Sequence, residues 1–105
     1  TQAFMKGNYT KAAQSYINAI ASDPDNYTHY ENAGICYYTA KDFKNAVIYF
    51  DKAIKFPTAN TGKSEFFMAM SFIALNNKPK ACESLYAAKS KNYAGVDTYI
   101  SQNCK

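Results

Sequence analysis

Lys41-Asp42-Phe43-Lys44-Asn45-Ala46-Val47-Ile48-Tyr49-Phe50-Asp51-Lys52-Ala53 is the stretch that decides the fold of this 105-residue chain. Ala46, Val47, Phe50, Ala53 and the following Ile54 fall at helical spacing and form one apolar stripe. The pattern is not unique to this stretch. Lys41, Phe43, Ala46, Phe50 and Ala53 stand 34 residues after Gly7, Tyr9, Ala12, Tyr16 and Ala19, and 35 residues before Asn76, Lys78, Ala81, Leu85 and Ala88. Two of the five positions are alanine in every copy, and a third is always large (Tyr16, Phe50, Leu85). A unit of this period is a pair of helices, too small to bury its apolar face alone. Its copies must therefore stack into a short solenoid.

Working outward, the spacing predicts a first complete helix over Asn8–Ser22, ended by Ser22-Asp23-Pro24-Asp25, because Pro24 drives the residue before it out of helical geometry. Helices are then expected over Asn26–Ala40, Asp42–Lys55, Lys63–Leu75, Pro79–Ser90 and Ala94–Asn103, with Pro57–Gly62 as the one real loop. No segment reads as a strand. Ala12, Ala19, Gly34, Ala46, Ala53, Ala69, Ala81 and Ala88 would let helix axes approach, while Tyr9, Tyr16, Tyr37, Phe43, Phe50 and Phe72 fill the space beside them.

Composition fits one packed unit. Hydrophobic residues make up 48% and charged residues 19% of the chain, and size scaling has such a chain bury roughly 65% of its unfolded surface. No run approaches the roughly 18 apolar residues of a membrane span. The visible chain has no charged start leading into an apolar run, so no signal peptide is read in it. The net charge of +4 comes from lysine alone, and arginine is absent. Since arginine is the usual reader of guanine and phosphate forks, and the lysines are scattered over helix ends and outward faces, no nucleic-acid site is expected.

Lys6-Gly7-Asn8-Tyr9-Thr10-Lys11-Ala12, followed by Tyr16, Ala19 and Pro24, resembles the second half of a tetratricopeptide repeat. Tyr30, Ala33, Gly34, Tyr37, Phe43, Ala46, Phe50 and Ala53 resemble a whole one, and Met68, Ala69, Phe72, Ala81, Leu85 and Ala88 a third in the same register. The resemblance implies an all-α fold: antiparallel helix pairs stacked as a short right-handed solenoid with a C-terminal capping helix. It divides the chain into a partial repeat over 1–24, repeats over 25–57 and 58–91, and the capping helix over 92–105. Two departures stand out. Thr1–Lys6 would be all that remains of the first repeat's first helix, leaving the Asn8–Ser22 helix thinly covered and open to homodimerisation. Lys78-Pro79 replaces the usual aromatic and starts a helix with proline in its first turn.

In this family the first helix of each pair lines a concave groove that holds an extended peptide or a partner helix. The matching residues here are Thr28, Glu31, Asn32, Ile35, Tyr38 and Thr39, then Lys63, Phe66, Phe67, Met70 and Ile73. Phe67 and Met70 are the adaptable apolar anchors, although any one of the set could equally pack on its neighbouring helix. Asn32 and Lys63 match two members of a carboxylate clamp known in part of the family. The rest of that clamp fails, because Thr1 and Phe67 stand where an asparagine and a basic residue belong. The resemblance thus implies a non-enzymatic protein- or peptide-binding module. The alternative is the structural end of a longer solenoid with no ligand of its own.

Catalysis has little support. His29 is the single histidine, the glycines are isolated, and no cysteine cluster or serine–base spacing supplies a metal or nucleophile set; no cofactor or metal is expected. His29 is read as a surface residue, with Asp25 and Glu31 nearby. The triplets Asn8-Tyr9-Thr10 and Asn26-Tyr27-Thr28 fit the glycosylation pattern, but such triplets are common by chance. The cysteines say more. The turn near Asn92 lies ten residues after Cys82 and twelve before Cys104, so in antiparallel helices rising about 1.5 Å per residue the two reach similar heights. They could bond if their side chains face each other. A disulfide would tie down the capping helix, contribute about 3 kcal/mol and imply an oxidising compartment. Several exported tetratricopeptide proteins of Gram-negative bacteria end similarly, with Ala-Cys opening a helix and Cys-Lys closing the chain. Periplasmic or otherwise exported is the expectation, and three reduced thiols in a cytoplasmic protein the alternative. Cys36 is read as a buried free thiol.

Overall fold

A computed structural model describes residues 2–104 of the chain, with side chains described from Asn8 onward. The clamp position Thr1 and the side chains of the first-helix remnant lie outside the described residues. Among the described residues six helices follow one another: α1 (Gln2–Ser22), α2 (Tyr27–Thr39), α3 (Phe43–Ile54), α4 (Lys63–Ala74), α5 (Lys78–Ser90) and α6 (Val96–Asn103). Among the described residues there is no strand. Each helix packs on its successor, and α2 also touches α4. Helices with side chains are about 10 Å across, so the 19 Å short dimension corresponds to two helix layers. This is an all-helical solenoid.

The repeated sequence positions become repeated turn chemistry. Lys41 and Asn76 both take left-handed backbone, with φ of 65° and 60°. The amide after each reaches back to close the preceding helix: Asp42 N–H to Tyr37 O and Asn77 N–H to Phe72 O, both at 2.8 Å. That is the Schellman closure of a helix end. The next residue at once caps a new helix, since Asp42 Oδ1 accepts from Asn45 N and Asn77 Oδ1 from Lys80 N. Asn92, at φ 64°, ends α5 in the same way, with Tyr93 N–H on Ala88 O. Because a left-handed lysine costs about 1–2 kcal/mol that glycine does not, Lys41→Gly should raise stability. A higher urea midpoint with unchanged slope is the expected result, and a lower one would contradict the turn.

Gly7 occupies the position matching Lys41 and Asn76, yet α1 runs through it. The helix break expected before Asn8 is absent: α1 is continuous from Gln2 to Ser22. Glycine inside a helix costs only roughly 0.5–1 kcal/mol relative to alanine, and no proline stands nearby to force a break. Smaller corrections concern the caps. Asn26 and Asp42 are N-caps lying just outside their helices, α5 begins at Lys78 with Pro79 in its first turn as expected, and α6 begins only at Val96, after left-handed Gly95.

The core sits where the recurring small residues meet large ones. Ala46, Ala53, Ala69, Ala81 and Ala88 have no exposed surface, and Phe50 and Leu85 are fully buried beside them. Phe50 lies so close to Gly34 that a β-carbon there would stand 2.8 Å from its ring. In α1 the alignment shifts: Ala13 is fully buried, whereas Ala12 and Ala19 are half-buried. The described part of α1 packs on α2, so one neighbour selects which alanine is covered.

Candidate functional site

Seven aromatic rings link α2, α4 and α6 across one side of the solenoid. Starting from α2, Tyr38 meets Phe43 edge-on at 5.7 Å and Phe67 at 5.2 Å. Phe67 stacks inward on Phe50 at 6.1 Å and meets its neighbour Phe66 at 5.4 Å. Phe66 in turn stacks on Tyr93 at 5.0 Å and takes Tyr99 of α6 edge-on at 5.3 Å. Phe50 is wholly buried, but Tyr38, Phe66, Phe67, Tyr93 and Tyr99 are each half-buried. They form an apolar strip with partly open edges. Burial first, then the neighbouring Tyr99 phenol, pushes the Tyr38 hydroxyl above the ordinary tyrosine range. It therefore stays protonated at neutral pH, able both to donate and to accept a hydrogen bond.

Placement of the groove residues inferred from sequence is uneven. Ile35, Tyr38 and Phe67 pack partly against the core cluster of Ala46, Phe50 and Met68. Asn32, Lys63, Phe66, Met70 and Ile73 are half-buried, and Thr28 and Thr39 are exposed. Glu31 is engaged within the fold: it is only 9% exposed and its carboxylate accepts a 2.7 Å bond from buried Ser64 Oγ, tying α2 to α4. Sequence reading overlooked Tyr93 and Tyr99. Their signal was present in the numbering, since Tyr99 follows Phe66 by 33 residues, about one repeat period.

Lys91, grouped by sequence with the surface lysines, is half-buried. Its ammonium donates to the Glu65 carboxylate and, at 2.8 Å, to Ala59 O, fastening the Pro57–Gly62 loop to α4 and α5. His29 also differs from expectation. It is partly buried and its Nε2 lies 3.4 Å from Asp23 Oδ2, not from Asp25 or Glu31. Cys36 is a free, half-buried thiol, and burial pushes its pKa up, which holds it protonated and slow to react. Cys82 and Cys104 are joined as a disulfide with their Cα atoms 5.7 Å apart, linking the start of α5 to the end of α6.

The opposite side carries a cleft of about 530 Å³ between α3 and α5, floored by Met68 and Phe72 of α4. Ile48 stands at its edge with 47% exposure, and the Lys80 ammonium lies 5.9 Å from the Phe72 ring centre. Among the described residues no group of three His, Cys, Asp or Glu side chains could hold a metal ion. No described helix is long and apolar enough to cross a membrane.

Stacked helix pairs with a partly open apolar strip define a helical-repeat interaction protein. The sequence pattern of the Tetratricopeptide repeat family matches residues 3–60, and the chain belongs to that family. No significant match is found among curated proteins. The family is typically a non-catalytic scaffold, so in general terms the chain is a protein-interaction module with protein partners.

Proposed function

We propose that the chain binds an extended peptide or a partner helix along the side that carries α2, α4 and α6. One observation supports this above the others: Tyr38, Phe67, Phe66 and Tyr99 make a continuous ring strip across three helices, with every ring partly accessible. Large aromatic side chains of this kind carry most of the binding energy in protein interfaces. Thr28, Asn32, Lys63 and Met70, which lie on the same two helices α2 and α4 and keep exposed surface, would add adaptable polar and thioether contacts. The module acts without catalysis and without a cofactor, and nucleic acid is not its partner. Its disulfide favours an oxidising, exported compartment.

Selection of peptides from a displayed library on the folded chain tests the reading. A selected peptide should lose at least about tenfold in affinity, near 1.4 kcal/mol, on Tyr99→Ser or Met70→Glu, with helical circular dichroism unchanged. Ile48→Glu on the far side should leave binding unaltered. If no peptide is selected, or if Ile48→Glu is as damaging as Tyr99→Ser, the strip is not the binding face, and the structural end of a longer solenoid becomes the better account. Homodimerisation through α1 is a separate proposal. It predicts a dimer in sedimentation that Tyr16→Glu disperses.

A further inference from the structure

We propose that the Cys82–Cys104 bond is what holds Tyr99 in the ring strip, so that the strip ends in Tyr99 only while the bond is intact; the functional weight of this rests on the reading of the strip as the binding face. α6 has 8 residues, and isolated helices below roughly 12–15 residues are marginal in water. Its helicity therefore depends on what it is fastened to. At its first turn the fastening is Val96, the buried residue of this helix, together with the Lys89–Asp97 pair at 2.9 Å, which is exposed on both sides. At its last turn Asn103 Nδ2 and Cys104 N bond to Tyr99 O and Ile100 O. Those bonds join α6 to itself, whereas the disulfide joins it to α5.

Tyr99 lies between the two attachments, three residues after Val96 and five before Cys104. A dithiol that reduces the bond is itself oxidised to a disulfide, and its two electrons and two protons leave Cys82 and Cys104 as thiols. With its far end released, α6 frays backward from Cys104, because helix ends open first and the 3.4 Å contact left between Cys82 Sγ and Asn103 O is only a weak sulfur hydrogen bond. The fraying reaches Tyr99 within about one and a half turns. Its ring leaves Phe66, and the face of Phe66 that it covered is opened.

The experiment uses the full chain oxidised, reduced with dithiothreitol, and as Cys82→Ser/Cys104→Ser, the variant serving where reduction is incomplete. Amide exchange of residues 99–103 should quicken by about tenfold or more once the loop constraint is removed, with α2, α3 and α4 unchanged. The nuclear Overhauser contact between the Phe66 and Tyr99 rings should fade, and reoxidation of the reduced chain should restore both. Retained exchange protection and a retained ring contact, in the reduced chain and the variant alike, would overturn the proposal. Acceleration spread evenly over all six helices would overturn it too, since the bond would then be a general staple. Failure of the binding reading is told apart by the selected peptide: α6 responding to reduction while no peptide binds leaves this inference standing and removes that one.

Discussion

Phe50→Ala is expected to destabilise the chain by about 3–5 kcal/mol, the range for truncating a buried phenylalanine. The ring has no exposed surface, stacks on Phe67 and presses on the backbone of Gly34. The Gly34 backbone, Ala46 and Met68 lie against it together with Phe67, and these neighbours can fill only part of the space it leaves. Domains of this size are stable by only about 5–15 kcal/mol, and the melting temperature should fall by on the order of 20 °C. Gly34→Ala approaches the same contact from the other side. Its added carbon would stand 2.8 Å from the Phe50 ring, an overpacking worth about 1–3 kcal/mol. Combining Gly34→Ala with Phe50→Leu should cost less than the sum of the two. Strict additivity in that cycle, or a Phe50→Ala loss under about 1 kcal/mol, would mean that the ring is not the centre of the core.

Lys91→Met should be comparably damaging, by about 3–5 kcal/mol, because breaking a buried pair strands the remaining charge. The Glu65 side chain is 4% exposed, and the Lys91 ammonium is its cationic partner. Glu65→Gln should cost less, since the lysine side chain it leaves is 28% exposed and its ammonium keeps the bond to Ala59 O. The double variant Lys91→Met/Glu65→Gln is expected to recover part of the Lys91→Met loss, as it removes the stranded charge. Urea denaturation of the four proteins gives the comparison. The account is sunk if Lys91→Met is no worse than Lys55→Met, whose pair with Asp51 is open to solvent, for such exposed pairs contribute little.

Much of the fold was legible because the repeat writes the same physical requirement several times. Alanines spaced to face a neighbouring helix, a large residue between them and a polar residue ready to cap after each turn all point to one answer. Local rules also explain the failure at Gly7. A helix tolerates an interior glycine at a cost of about 0.5–1 kcal/mol, so Gly7 without a proline beside it does not end α1. The candidate site was half legible. Tyr38, Phe66 and Phe67 follow from the register of the first helix in each pair, but Glu31 does not, because nothing local reveals that Ser64 will meet it 33 residues on.

By itself the sequence determined the helix-pair period, the buried small positions and the class of protein, since these follow from near-neighbour spacing along one chain. Which lysine is buried against Glu65, which tyrosines join Phe66, and which alanine of α1 is covered were decided only when separate helices came into contact. Those outcomes depend on distances between side chains far apart in the chain. Spacing along a helix fixes the direction in which a residue points, and the neighbouring helix fixes what it finds there.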